Sequence, residues 1–276
     1  MRLGRLNLRQ RTLAAIVISI ALLVGMVMSG FIIGEEKLGV NLEARNNSPS
    51  LRNLFGTDWL GRDMLARTLK GLTLSLGVGI LAAFSSTVIA LILSLLASWN
   101  RAIDYIVTWL IDLFLSVPHI VLLLLISFAM GGGFTGVVIG LALTHWPSLA
   151  RVLRSEMLQV KTAEYVGVSR RLGKSRLWIA RNHLLPHLMP QLVIGFILLF
   201  PHAILHEAAI TFLGFGLSTE QPAIGIILSE SMQYLSTGAW WLAFFPGLSL
   251  LLMVGIFDLL GRNVSRFIDP FHGQKG

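Results

Sequence analysis

Four side chains with acid–base or metal-binding chemistry lie in apolar stretches, where such groups are costly and mark interior faces or pathways. They are His145, His202, His206 and Glu207. Because His202 and His206 are four residues apart, a helix places both on one face. Neutral imidazoles at this spacing can share a divalent ion, and imidazole suits nickel, copper and zinc. Glu207 lies about 100° further round the helix than His206, so it need not face the same ion.

A purely structural interpretation remains open, in which each of these histidines forms one hydrogen bond between helices. His145 stands in a separate apolar stretch and would supply a third imidazole to a metal pathway. Among the other histidines, His119, His183 and His187 show no comparable spacing, so the sequence predicts no metal-binding role for these three.

Motifs for catalysis and for nucleotide binding are missing from the sequence. The chain has no cysteine, no phosphate-binding Gly-x-x-x-x-Gly-Lys-Ser/Thr loop, and neither a metalloprotease nor a nucleophile-elbow signature. We therefore expect a protein that is not an enzyme, with no catalytic residue and no cofactor of its own. If ATP energises its work, another chain binds the ATP.

The elements that must position these groups are transmembrane helices. Of the 276 residues, 54% are hydrophobic and only 13% are charged, about half the usual charged fraction of a soluble domain. This composition excludes a disordered chain and argues against a soluble enzyme. Since a helix needs about 20 apolar residues to cross a bilayer, we predict an all-α membrane protein with six spans. These spans cover residues 12–33, 71–97, 105–130, 135–149, 188–213 and 240–260.

The basic residues orient these spans. Most of the 22 lysines and arginines lie in the two tails, in the loop near Arg101 and in the stretch 151–186. Because loops rich in Lys and Arg stay in the cytoplasm, we predict that both termini are cytoplasmic. The net charge of +8 is then explained by topology, so lipid and not nucleic acid is the expected partner.

Two connections are longer and more polar than six spans require. In the outer one, residues 35–70, Thr57 or Asp58 could cap a short helix. That segment is either a surface helix on the bilayer with Trp59 at the interface or a contact for another protein. The cytoplasmic one, residues 155–186, is basic. It should form two short helices around a turn at Gly173, with Pro186 ending the second. Such an element could dock into the groove of a cytosolic partner, or it could be a plain basic loop.

Two acidic residues also lie within predicted spans. Asp112 and Asp258 could mark an ion pathway, as in a secondary transporter that acts alone. Pairing with an arginine or a backbone donor is the interpretation that we favour. Pro118 should kink the third span, because proline cannot donate a helical hydrogen bond.

Several motifs resemble the permease subunits of dipeptide, oligopeptide and nickel ABC importers. The outer segments 55–58 (Phe-Gly-Thr-Asp) and 61–63 (Gly-Arg-Asp) resemble the external motif of that family. Residues 164–166 (Glu-Tyr-Val), Gly173 and 183–186 (His-Leu-Leu-Pro) resemble its coupling loop. Further matches are Asp112, Ser116, Pro118, the run 211–216 (Thr-Phe-Leu-Gly-Phe-Gly) and Asp269-Pro270.

This resemblance implies a type I ABC importer permease fold in the bacterial inner membrane. The implied partners are a homologous second permease subunit, two cytosolic ATPase subunits that bind ATP, and an extracytoplasmic binding protein. The implied ATPase-coupling residues are Glu164, Tyr165, Val166, Gly173, Leu185 and Pro186. The implied external gate or binding-protein contact consists of Thr57, Asp58, Gly61, Arg62 and Asp63.

The resemblance leaves two cargo classes open. His145-Trp146, His202 and His206 resemble the nickel-import member, the second permease subunit, which favours nickel or a nickel or cobalt chelate. Glu207 is more like the peptide members, so short peptides are the alternative. The expected organisation is an N-terminal part (1–70), a five-helix core (71–270) with a coupling loop near 155–187, and a tail (271–276).

Overall fold

The computed structural model describes residues 7–268, and its regular secondary structure in this range is helical. Asp269-Pro270 and the ends of both tails lie outside the described residues. Within them no β-strand forms, and the isolated antiparallel bridge joins Thr57 to Asp63. The helices are α1 (Leu8–Ile32), α2 (Met64–Ala97), α3 (Arg101–Ser116), α4 (His119–Ala129), α5 (Gly133–Thr162), α6 (Glu164–Arg171), α7 (Arg176–Ile179), α8 (Leu185–Phe212), α9 (Ile224–Met232) and α10 (Trp241–Ile268). A π-helical turn, Ala180–Leu184, joins α7 to α8, and short 3₁₀ turns cover Glu35–Leu38, Leu42–Ala44 and Leu235–Thr237.

Five of the described helices are long and apolar enough to cross a bilayer, or six if α3 and α4 count as one span. The predicted third span is therefore not one kinked helix, because α3 and α4 meet at an angle of 100°. Val117 before the proline is extended, with φ −91° and ψ 138°, as the proline ring requires of its predecessor. Pro118 then opens α4 as its N-cap residue. The sequence located the break correctly but underestimated its angle.

Close helix packing brings α2, α5 and α8 together. The hydroxyl of Ser86 on α2 donates to the Ala142 carbonyl on α5 over 2.9 Å. A Cβ atom at Gly79 would lie 2.8 Å from Ile204 of α8. Small residues at such crossings let helix backbones approach each other. The histidine-bearing parts of α5 and α8 thus pack against the same central helix, while α1 packs peripherally on α2 and α10.

Helix α5 is longer than predicted, since it continues from residue 149 to Thr162. The part of α5 after residue 149 carries charged residues and is held to α3 by a bidentate ion pair. Arg154 donates to Asp104 through Nε over 2.6 Å and through Nη2 over 2.9 Å. The prediction stopped where hydropathy fell, but this helix extends beyond its apolar part.

Both aspartates of the predicted spans are paired with arginine. Arg151 Nη2 lies 2.7 Å from Asp112 Oδ1, and Arg262 Nη1 lies 2.6 Å from Asp258 Oδ2. The favoured pairing interpretation is confirmed.

Candidate functional site

Three histidines from three helices converge between α4, α5 and α8. His119 begins α4, His145 lies in α5 and His206 lies in α8. One ring nitrogen of each lies within 4.8 Å of the others. The ring centroids are 4.5 Å apart for His119–His145 and His119–His206, and 5.3 Å apart for His145–His206. We call these three residues the imidazole cluster.

The cluster corrects two expectations from the sequence. His119, to which the sequence gave no role, belongs to it, whereas His202 does not. The break at Pro118 is the reason that His119 is included, because it starts a new helix at this point beside α5. A proline directly before an apolar-stretch histidine was the signal that could have revealed this.

His202 contributes its backbone and not its side chain. The exposed His202 accepts a hydrogen bond at its carbonyl oxygen from His206 Nδ1 over 2.7 Å. The four-residue spacing does bring the two residues together, but through this bond. The described residues do not place the His202 and His206 rings together as metal ligands, so chelation by this pair stays a prediction.

Hydrogen bonds fix which ring nitrogen is free in two of the three histidines. His145 Nδ1 lies 2.9 Å from the Leu141 carbonyl oxygen. Because a carbonyl can only accept, Nδ1 carries the proton in both His145 and His206. Each Nε2 therefore keeps its lone pair. The buried His145 Nε2 has no hydrogen-bond partner among the described residues.

Thr144 of α5 lies beside the remaining ring, that of His119. Its hydroxyl is 2.9 Å from the Gly140 carbonyl oxygen and 3.5 Å from His119 Nε2. Since the hydroxyl proton goes to the carbonyl, the oxygen is available to accept from His119 Nε2. In that arrangement Nδ1 of His119 is the free nitrogen.

Glu207 lies outside the imidazole cluster. It is fully buried and accepts a hydrogen bond at Oε1 from the Thr211 hydroxyl over 3.0 Å. Thr211 Oγ1 in turn accepts from the Leu217 backbone N–H over 3.2 Å. These two hydrogen bonds connect Glu207 to the turn that follows α8. They hold this turn in place and do not involve the imidazole cluster.

The outer segment is organised around a buried aspartate. Asp58 Oδ2 lies 2.7 Å from Arg62 Nε and 2.7 Å from Arg67 Nη1. Arg67 Nη2 reaches Glu230 Oε2 over 2.8 Å. Asp58 Oδ1 accepts two backbone N–H bonds, from residues 60 and 62, each over 2.9 Å. We call these four side chains the Asp58 network, and it joins the outer segment to α2 and α9.

The other residues of the external motif shape the same loop. Thr57 is buried, and its hydroxyl bonds the Ala44 carbonyl and the Asn47 N–H. Gly61 has φ +75°, and a Cβ atom there would lie 1.7 Å from the Asn41 carbonyl oxygen. Asp63 caps α2 by accepting from the residue 66 N–H over 2.8 Å.

The helix cap at Thr57 or Asp58 is therefore wrong, because Asp63 is the N-cap residue of α2 and the Thr57 and Asp58 side chains fix the loop. The predicted helix around Trp59 is also wrong, since turns occupy that stretch. The Trp59 ring stacks on Tyr234 with centroids 4.8 Å apart.

Segment 163–184 contains the predicted glycine turn. Helix α6 ends in a turn in which the Lys174 N–H bonds the Ser169 carbonyl over 3.1 Å and the Gly173 N–H bonds Arg170 over 3.0 Å. Gly173 has φ +75°. This paired pattern with a left-handed glycine is a Schellman C-cap. The predicted cap at Gly173 is confirmed.

Pro186 does not end the second helix. The π-helical turn Ala180–Leu184 carries the chain from α7 into α8 without a break, and the Leu185 N–H bonds back to the Ala180 carbonyl. Pro186 then lies in the first turn of α8, where a missing N–H is tolerated. The second short helix is thus the beginning of a long one.

Comparison with known proteins gives consistent relatives. Residues 86–270 match the family model described as binding-protein-dependent transport system inner membrane component. The dipeptide transport system permease protein of Bacillus subtilis is 31% identical over 267 residues, covering 96% of this chain and 83% of that protein. The di/tripeptide transport system permease protein of Pseudomonas aeruginosa is 35% identical over 221 residues, covering 79% and 72%.

Solved structures give the fold. A chain of the methionine ABC transporter MetNI in an inward-facing conformation superposes with a TM-score of 0.58 at 23% identity, covering 75% of this chain and 98% of the other. A chain of an amino acid ABC transporter crystallised with histidines gives a TM-score of 0.56 at 18% identity, covering 72% and 93%.

Proposed function

This chain belongs to the family of binding-protein-dependent transport system inner membrane components, and from that premise we propose that it is one of two permease subunits of a bacterial importer of short peptides. It is a multi-pass inner membrane protein and the non-catalytic transport component of an ABC importer. The peptide assignment rests on one observation. Relatives at 31–35% identity over most of the chain are named for dipeptides and tripeptides.

Helix α6 and its C-terminal turn are the proposed contact with a cytosolic ATPase. Val166 is buried beneath α6, whereas Leu172 and Leu177 on either side of the turn are 72% and 68% exposed. Exposed apolar side chains beside a rigid turn suit insertion into a partner's groove. Of the six residues implied by the resemblance, Glu164, Tyr165 and Pro186 are exposed, Leu185 is half-buried, Val166 is buried and Gly173 shapes the turn.

This docking would place segment 163–184 and both termini in the cytoplasm. The Asp58 network would then lie on the outer side, where a binding protein delivers cargo. Because Thr57 and Asp58 are buried, we propose that they shape the outer loop, while half-buried Arg62 is better placed for contact. A homologous second permease subunit and two ATPase subunits would complete the transporter.

Uptake of a labelled dipeptide by cells that express the complete transporter tests the peptide assignment. Cells without this chain should lose that uptake, and cells with the chain restored should regain it. The control is the uptake of an amino acid carried by another transporter, which should not change. Dipeptide uptake that continues without this chain would refute the assignment.

A metal cargo is the second candidate, and the imidazole cluster is the observation that favours it. Three imidazoles that face one another match the ligand preference of nickel, copper and zinc. Nickel, or a nickel or cobalt chelate, is the cargo that the sequence favoured. Uptake of labelled nickel in the same pair of strains tests this candidate, and nickel uptake that is independent of this chain would exclude it.

A further inference from the structure

The imidazole cluster has the donor set of a metal site. His145 and His206 each give the Nδ1 proton to a backbone carbonyl four residues earlier. Such bonds orient metal-ligating histidines and fix the free nitrogen. His145 Nε2 is buried and has no protein partner among the described residues. A buried imidazole nitrogen without a partner, in a ring that lies against two other imidazoles, is available to bind an electrophile.

The spacing is compatible with a bound ion. One ring nitrogen of each histidine lies within 4.8 Å of the other two. Neighbouring ligands of an octahedral ion with metal–nitrogen bonds of about 2.1 Å are about 3.0 Å apart. The three rings would therefore draw together when a metal binds. The three rings also come from three separate helices, so no single helix has to bend.

The charge of the cluster decides what form the metal takes. All three ligands are neutral imidazoles, and no carboxylate of the described residues belongs to the group. Glu207, which follows His206 in the chain, bonds Thr211 instead. An isolated divalent charge at a site of low dielectric is strongly disfavoured unless negative charge accompanies it. Because the imidazole cluster itself carries no negative charge, an anion bound to the metal would supply it.

We infer that His119, His145 and His206 together bind a divalent transition metal that enters with an anionic chelator still attached. The chelator would be a small molecule with carboxylates, as amino acids and short peptides are. The inference rests on the proposed metal cargo and extends it, since it assigns the three protein ligands and the charge class of the chelator.

Binding of nickel iminodiacetate to the purified complete importer in nanodiscs tests the inference. Iminodiacetate cancels the charge of nickel and leaves three positions of an octahedral ion open. We expect the chelate to bind and to perturb its visible absorption. Bare nickel should bind at least about tenfold more weakly. Equal affinity of bare nickel would refute the attached chelator, and no chelate binding would refute the site.

Two matched substitutions locate the ligands. His119→Gln should weaken chelate binding by at least about tenfold, since even outer-shell changes at metal sites cost 10–100-fold. His202→Gln should leave binding unchanged, because this side chain lies outside the cluster. Equal loss in both variants, or no loss in His119→Gln, would overturn the assignment. Importer assembly and basal ATPase activity verify that each variant is folded.

Failure of this inference can be told apart from failure of the proposed function. Dipeptide and nickel uptake report the cargo, whereas chelate binding reports the site. Binding to the cluster without nickel uptake would refute the metal cargo and leave the site standing. Nickel uptake without chelate binding would refute the site and leave the cargo standing.

Discussion

Replacing Asp58 by Asn should release the outer segment, because this carboxylate is the centre of the Asp58 network. Its side chain is 0% exposed, and that of Arg67 is 4% exposed. Asparagine keeps an oxygen for the two backbone N–H bonds of residues 60 and 62. It loses the charge, and its amide group would face the guanidinium of Arg67. The substitution thus isolates the electrostatic part of the network.

The size of the effect follows from burial. Removing one partner of a buried ion pair costs about 3–5 kcal/mol. Arg67 retains Glu230 at 2.8 Å, and that partner is 27% exposed, so we expect the low end, about 3 kcal/mol. Because each 1.4 kcal/mol is tenfold, local opening of the outer segment should become roughly a hundredfold more frequent.

Amide hydrogen exchange of residues 56–63 in the assembled importer measures this opening. The control is Asp112→Asn, which breaks the pair with Arg151 in the same chemical way. Those side chains are 63% and 58% exposed, so the loss there should be at most about 1 kcal/mol, or about fivefold in local exchange. If Asp58→Asn changes protection no more than its control does, the buried network does not hold the segment.

Three further substitutions, the first with a matched control, test other parts of the chain. Gly173→Ala should cost about 1–2 kcal/mol in the turn, because φ is +75°, and should uncouple ATP hydrolysis from uptake. Gly167→Ala, where a Cβ atom meets nothing within 4 Å, should leave coupling intact, and equal coupling in both would refute a role for the turn. Pro118→Ala should straighten the break between α3 and α4 and move His119 away from the imidazole cluster. The affinity for nickel iminodiacetate, measured in nanodiscs as above, should then fall at least about tenfold. Unchanged affinity would show that the break does not place this ring. Gly61→Ala should lower the thermal unfolding midpoint, since a Cβ atom would lie 1.7 Å from a backbone oxygen, and an unchanged midpoint would contradict that clash.

Apolar stretches predicted the helices well because hydropathy over about 20 residues reports a membrane span directly. What hydropathy does not report is how a chain turns within the membrane. Pro118 was visible in the sequence, but its 100° break depends on how α4 packs against α5. Pro186 looked like a helix end because the π-helical turn before it has no signature in residue types.

The histidines illustrate the same limit in the site itself. Spacing along a helix predicts which side chains share a face, and it linked His202 with His206 correctly on that basis. Membership of a cluster depends on which neighbouring helices that face meets. His119 joined through a break that only the tertiary structure reveals, and His202 remained exposed.

Kinship with peptide permeases and a cluster of imidazoles are compatible properties. A pathway built for dipeptides must accommodate a small molecule that carries a carboxylate. A metal held by an amino acid or a short peptide also carries a carboxylate. The coordination positions of the metal that the chelator does not fill are open to protein ligands. Three neutral imidazoles add affinity for the metal without adding charge, so they can bind the complex without removing its chelator. An anionic ligand in the protein would instead compete with the chelator and retain the bare ion. If both proposals hold, an imidazole cluster without a carboxylate among the described residues would let a peptide-type pathway pass a metal complex intact.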